Sequence, residues 1–257
     1  MVSLDTTYDI EYRKANGIYY TPEVIVEYMV RETVGRLIED KCPEEINGIS
    51  IVDPACGDGN FLVGAYKYLV EYHRKWYDEH KDVDEYKSDW YIKDGILELT
   101  ETKKQEILLN NIYGVDIDQN AINHAIIRMH ELVGDIDLSS NIKCGNSLIG
   151  TDYFSNMLFY DDALWNEIKP FDWNKEFPKV FQNGGFDIVI GNPPYGIKFN
   201  KIEKEYFIKK YLSTRTIPNK QKGSFDSFSL FIELGFKLLK KDGMLIFIVP
   251  ISITSSE

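Results

Sequence analysis

The run Phe186-Asp-Ile-Val-Ile-Gly-Asn-Pro-Pro-Tyr-Gly196 joins a strand-like apolar stretch to four residues that could do chemistry. A buried strand there delivers Asn192, Pro193, Pro194 and Tyr195 to the carboxyl edge of a sheet, where open α/β folds bind ligands. Two consecutive prolines fix the backbone, remove two N–H donors and leave carbonyls facing outward. With the Asn192 side-chain oxygen they form a rigid acceptor site under an aromatic lid, Tyr195. Such a site suits an aromatic amine or amide whose N–H groups must be held.

A second constellation lies far upstream. Ile51-Val-Asp-Pro-Ala-Cys-Gly-Asp-Gly-Asn-Phe-Leu62 reads as strand, Gly-rich turn and helix. Gly57 and Gly59 let the backbone approach a ligand closely, and the helix N-terminus offers unpaired N–H groups. The third glycine of a dinucleotide fingerprint would fall on Leu62, so a pyrophosphate is not the expected guest. Gly114-Val-Asp-Ile-Asp118 ends a further strand and places Asp116 at its tip, where adjacent ribose hydroxyls could bind, with Asp118 as the N-cap of a helix starting at Gln119. Cys56 sits inside the Gly-rich turn, not after a proline at a catalytic strand, and reads as structural.

The elements that must position these residues alternate between short apolar runs and helical patterns. This α/β pattern signifies a mainly parallel sheet with helices on both faces. Strands are expected at Ile49–Asp53, Asn111–Asp116, Asn141–Cys144, Phe186–Gly191 and Met244–Pro250. Pro22 starts a helix with Val26, Met29, Val30, Val34 and Leu37 on one face. Ser224 or Asp226 caps another, whose apolar face is Phe228, Phe231, Ile232, Leu238 and Leu239. Tyr72–Gln105, highly charged, and Asp152–Gly185, loop-like and aromatic-rich, read as insertions. The last strand stops close to the end of the chain, and a sheet ending there would expose an edge, so the natural chain is expected to be longer.

Three cysteines are too few and too scattered for a disulfide framework or a zinc site, and no metal is expected. The histidines read as surface residues. Neither a signal peptide nor a membrane span is seen, which points to a cytoplasmic protein. The net charge of −12 argues against a protein that wraps nucleic acid. The distribution changes that reading, because residues 197–222 hold eight basic side chains, Lys198, Lys201 and Lys222 among them, against two acidic ones.

Together these segments resemble the class I S-adenosylmethionine-dependent methyltransferases, and within them the gamma-type adenine-N6 DNA methyltransferases of type I, II and IIG restriction-modification systems. The resemblance runs from Gly17 to Pro250 and implies a Rossmann-like fold. Gly17-Ile-Tyr-Tyr-Thr-Pro22 is similar to the family's N-terminal motif, which would set Tyr20 and Thr21 against the methionine end of S-adenosyl-L-methionine. Asp53, Ala55, Gly57 and Gly59 resemble the methionine-binding turn, Asp116 and Ile117 the ribose acid and its apolar neighbour on the adenine ring. Asn146, with Ser147 beside it, stands where many relatives have Asp, and its carboxamide oxygen could accept from the cofactor's adenine N6. Phe231 would pack on the cofactor adenine. Asn192-Pro-Pro-Tyr195 resembles the catalytic tetrapeptide.

The resemblance implies methyl transfer to adenine N6 in double-stranded DNA. It also implies a division into an N-terminal helical segment with a cofactor-side motif (1–48) and a catalytic domain (49–257) that lacks its target-recognition region. Base discrimination would come from a fused recognition domain or a specificity subunit. Asn-Pro-Pro-Tyr also serves enzymes that methylate protein glutamine, and close variants act on RNA bases. A cofactor-binding fragment inactive without its specificity region is a further alternative. The N-terminal motif, the two insertions and the basic run favour DNA.

Overall fold

The computed structural model describes residues 21–156, 160–214 and 226–250. Helix α1 (Glu23–Val30) continues through a π turn (Arg31–Gly35) into a final turn (Arg36–Ile38). There follow α2 (Pro43–Ile46), β1 (Ile51–Asp53), α3 (Asn60–Glu79), the hairpin β2 (Trp90–Lys93) and β3 (Ile96–Leu99), α4 (Glu101–Asn111) and β4 (Ile112–Asp116). After them come α5 (Gln119–Val133), β5 (Ile142–Cys144), α6 (Asp162–Ile168), α7 (Trp173–Glu176), α8 (Pro178–Gln182), β6 (Phe186–Gly191), α9 (Lys201–Lys210), α10 (Ser227–Leu238) and β7 (Leu239–Phe247).

Five strands make one sheet in the order β5-β4-β1-β6-β7, and every neighbouring pair is parallel. The fold is the parallel α/β sheet that the alternation of elements predicts, in the Rossmann-like arrangement that the resemblance implies. Residues alternate between the two faces, as a pleated strand requires. Ile51, Ile112, Ile188 and Ile190 meet α1, α3, α4 and α5 in one core, while Val52, Val115 and Val189 meet an aromatic core of Phe171, Trp173, Phe177, Phe207 and Phe231. All six residues of β6 are buried, so the strand that ends at Asn192 is covered on both faces. Among the described residues, no helix is long and apolar enough to cross a membrane.

Several boundaries differ from the sequence expectation for identifiable reasons. Asn111 and Asn141, expected at strand starts, act as struts at the amino edge of the sheet. The Asn111 amide donates to the carbonyls of Ile46 (2.7 Å) and Ile49 (2.6 Å), and that of Asn141 to Leu109 (2.8 Å) and Ile112 (2.9 Å). Leu239, expected on the last helix, instead opens β7 opposite Phe186; the register then slips at a bulge before Met244 pairs with Ile188. The bulge carries Asp242 at φ 66° and brings Lys240 to the buried Asp187. Tyr72 does not begin an insertion, because α3 continues unbroken to Glu79. His73 on that helix is fully buried, not at the surface, and burial pushes its imidazole down to about 4. The segment 152–185 is not a loop: it folds into a 3-10 turn (Thr151–Asn156) and the short helices α6, α7 and α8, packed through their aromatics.

Helix α1 reaches the site because α3 has no side chain where the two cross. A Cβ on Gly64 would collide with Val26, and one on Gly35 would lie 2.6 Å from the Tyr68 hydroxyl. Gly64→Ala is expected to lower the unfolding free energy by about 1–3 kcal/mol through overpacking. Denaturant titration checks this, with a lower midpoint and an unchanged slope as the expected result.

Candidate functional site

The carboxyl ends of β1, β4 and β6 converge on one edge. At β1 the buried Asp53 carboxylate accepts from the Ala55 N–H (3.0 Å). The turn that follows is tied to the next strand, since Cys56 donates its N–H to the Val115 carbonyl (3.0 Å) and Gly57 its own to Asp116 (2.8 Å). Gly114 lets the turn come this close: a Cβ there would lie 2.6 Å from Leu62 and 3.0 Å from the Cys56 sulfur. Gly57 (φ 53°) and Gly59 (φ 84°) both adopt the left-handed conformation, and Gly59 precedes the first residue of α3. A Cβ on Gly57 would meet nothing, so its backbone borders open space. Arg128, which sequence reasoning missed, braces the turn by donating to the Asp58 carbonyl (2.8 Å) and the Asn60 side chain (3.0 Å).

The turn carries an electrostatic imbalance. Burial pushes the Asp53 carboxyl up to about 8, and the neighbouring Asp116 charge adds to the rise. Asp116 is itself raised by burial, against the pull of the Asp118 and Gly57 N–H groups. Neither acid forms an ion pair among the described residues. The edge is therefore poised to take up positive charge. Burial pushes the Cys56 thiol well up, which fits a structural residue and not a nucleophile. Ile117, 46% exposed, offers an apolar surface beside Asp116, and Asp118 caps α5 as expected.

At the end of β6, the Asn192 amide donates to the Thr21 hydroxyl (3.2 Å). The Asn192 side-chain oxygen is buried and has no hydrogen-bond donor. The Pro193 carbonyl likewise receives no hydrogen bond among the described residues. The Pro194 carbonyl differs from the expected outward-facing acceptor, because the Ser227 hydroxyl donates to it (2.7 Å). Tyr195 is half-buried beside them.

Asn146 lies after β5, and its side-chain oxygen already accepts from the Leu148 N–H (3.1 Å), leaving one lone pair. Ser147 is buried, and its hydroxyl donates to the Pro54 carbonyl, so it joins two loops and does not face open space. Phe231 is 5% exposed within the aromatic core. Lys198 and Lys201 are exposed beyond the tetrapeptide and form no ion pair among the described residues. Tyr20 and Lys222 lie outside the described residues. Helix α9 locks this region to the loop after β5: the Tyr206 hydroxyl accepts from the Gly150 N–H (3.0 Å), and that of Tyr211 donates to the Leu148 carbonyl (2.9 Å).

A Rossmann-like sheet with a Gly-rich turn, a strand-tip acid and an Asn-Pro-Pro-Tyr corner on one edge defines the methyltransferase class of α/β folds. Residues 110–257, more than half of the chain, match the Eco57I restriction-modification methylase family, and the chain belongs to that family. It is 30% identical over 249 residues to the type II restriction enzyme and methyltransferase RM.Eco57I of Escherichia coli, covering 90% of this chain and 22% of that protein. It is 27% identical over 203 residues to the adenine-specific methyltransferase PglX of Streptomyces coelicolor, covering 71% of this chain and 15% of that protein. Among solved structures, the DrdV–DNA complex superposes with a TM-score of 0.59 at 20% identity, over 98% of this chain and 22% of that one, a likeness of fold. The chain thus spans about a fifth of the length of the RM.Eco57I protein.

The raised Asp53 carboxyl gives the ligand-free protein a defined pH response. The folded state holds a proton that the unfolded chain releases near 3.8, so Asp53 contributes stability fully present below that value and lost as pH rises towards about 8. Asp53→Asn should remove this contribution. Thermal melts from pH 4 to pH 8 test it; the difference between wild type and variant should change steadily across that window, and parallel curves would refute the assignment.

Proposed function

We propose that this chain is the catalytic part of a DNA methyltransferase that moves a methyl group from S-adenosyl-L-methionine to adenine N6, within a cytoplasmic restriction-modification system. The observation that carries this reading is the Asn192 side-chain oxygen, buried without a donor, with the Pro193 carbonyl following it in the chain and receiving no hydrogen bond among the described residues. An exocyclic amino group has the two N–H bonds that such a pair can hold. The adenine-specific relative supports adenine as the base. Residues 1–48 form the N-terminal segment and 49–257 the catalytic domain of this reading.

The turn fits the cofactor. Gly57 leaves its backbone uncovered, and a cationic ligand would draw Asp53 and Asp116, whose carboxyls burial raises in the ligand-free protein, to their ionised forms. S-adenosyl-L-methionine, when bound, provides an electrophilic methyl on a sulfonium. Tyr20, Thr21, Asp53, Ala55, Gly57 and Gly59 would hold its amino-acid end, Asp116 the ribose, and Ile117, Asn146 and Phe231 the adenine. Ser147 serves this site through Pro54.

The protein's own part in the reaction is to localise an electron pair. The adenine amino lone pair is delocalised into the ring and is a poor nucleophile. Hydrogen bonds from its two N–H groups to Asn192 and Pro193 favour the pyramidal form, in which the pair is free to attack, and these bonds strengthen towards the transition state. Tyr195 stacks on the base once it leaves the duplex, which offsets part of the few kcal/mol of unstacking. Lys198 and Lys201, exposed beyond the tetrapeptide, would take phosphates, and Lys222 of the same basic run would add to them. Sequence discrimination falls to a specificity subunit or fused recognition domain.

Radiolabel transfer to duplex DNA by the full-length protein, followed by nucleoside analysis, tests the reading. Label is expected in N6-methyladenine; label in 5-methylcytosine, in RNA or in protein alone rejects it. Asn192→Ala should lower the transfer rate by at least about 100-fold, the scale for losing one transition-state hydrogen bond, with cofactor affinity nearly intact. Asp116→Ala should weaken cofactor binding first, measured by calorimetry. Transfer by Asn192→Ala at the wild-type rate would overturn the assigned role.

A further inference from the structure

The acceptor corner is difficult to hold in place, because Pro193 and Pro194 have no N–H with which to anchor it. Its geometry depends on what grips the residues just downstream. Two neighbours at the start of α10 do so. Ser227, fully buried, donates its hydroxyl to the Pro194 carbonyl at 2.7 Å. Asp226 accepts the Gly196 N–H at 3.0 Å, and the same carboxylate oxygen lies 3.2 Å from the Ser227 hydroxyl.

Asp226 occupies the N-cap position of α10 with extended backbone (φ −96°, ψ 151°), where an Asp side chain ordinarily accepts from its own helix. It accepts no backbone N–H of that helix; the carboxylate takes the Gly196 N–H and the Ser227 hydroxyl instead. Gly196 at φ 76° turns the chain so that its N–H reaches Asp226. The pair also sorts the acceptors. Of the two proline carbonyls, Ser227 takes the second, leaving the first and the Asn192 oxygen as the adjacent open pair.

We propose that Ser227 and Asp226 are positioning residues that fix the register of the Asn192–Pro193 acceptor pair, so that an amino group engages Pro193 and not Pro194. This rests on the methyl-transfer reading of the site. Neither residue needs to touch substrate or cofactor for this role.

The test uses the full-length protein and single-turnover methyl transfer to duplex DNA, with cofactor and DNA affinities and the melting temperature measured in parallel. Ser227→Ala is expected to slow transfer by about tenfold or more, with both dissociation constants within about twofold of wild type. Ser227→Thr, which keeps a hydroxyl, should recover most of the rate. A Ser227→Ala rate within about twofold of wild type overturns the inference, as does a loss of rate matched by loss of cofactor affinity and not rescued by threonine. Should Ser227→Ala not fold, Asp226→Ala decides: a rate loss of about fivefold or more at unchanged cofactor affinity supports the role, and a smaller loss removes it. Asn192→Ala, run alongside, separates the two claims. If it transfers at the wild-type rate, the site reading itself fails; if it is inactive while Ser227→Ala and Asp226→Ala are normal, only the positioning role fails.

Discussion

The Asp53 carboxylate lies against Gly191 where β1 and β6 run side by side, and a Cβ at position 191 would stand 2.6 Å from one of its oxygens. This close approach sets the spacing between the acidic and the neutral halves of the site. Asp53 belongs to the acidic turn, and Asn192, the next residue after Gly191, belongs to the corner whose side-chain oxygen is left without a donor. Parallel pairing of the two central strands, Ile51 with Ile188 and Val52 with Val189, carries both to the same edge. Any side chain at 191 would push the strands apart or tilt the acid away, and the turn and the Asn192 corner would lose their alignment.

The large features were legible because they follow from backbone demands. Short apolar runs covered on both faces gave the five strands, and the sheet contains those five. Asp116 meets Gly57, 59 residues away, because each sits at the tip of a neighbouring strand, where parallel register brings tips together. The Asp118 cap was visible for the same local reason. The partners of Ser227, Ser147 and Asp226 were not, although Asp226 was legible as a helix cap and holds that position. Each is a short polar side chain whose partner, Pro194, Pro54 or Gly196, lies 30 to 93 residues away. Nothing in local spacing distinguishes a serine that bonds its own turn from one that reaches across the fold.

The misreading of α3 beyond Tyr72 has a different origin. Glu71, Arg74, Lys75, Asp78 and Lys81 pair with one another along its outer face, which gives that stretch the charge density of a solvated loop. The inner face continues through Leu69, His73 and Tyr77, spaced four apart and all buried. Histidine counts as polar in any pattern of apolar residues, so the pattern alone does not carry the stripe past Leu69. The ring keeps its place because Nδ1 bonds the Leu69 carbonyl (2.8 Å) and burial holds it neutral.

The choice of a carboxamide at position 192 follows from the charges around it. A carboxylic acid there would have a buried oxygen, as Asn192 has, two residues along the sheet edge from an acid that burial and Asp116 already push up to about 8. Like charges and desolvation both favour the protonated form, so a third acid would share its oxygens with a proton and compete with Asp53 for whatever positive charge enters the turn. Asparagine keeps a full acceptor at every pH, and its amide gives Thr21 the hydrogen bond that orients it. In the proposed reaction this division lets Asp53 and Asp116 respond to the charge of the methyl donor while Asn192 and Pro193 respond only to the shape of the amino group.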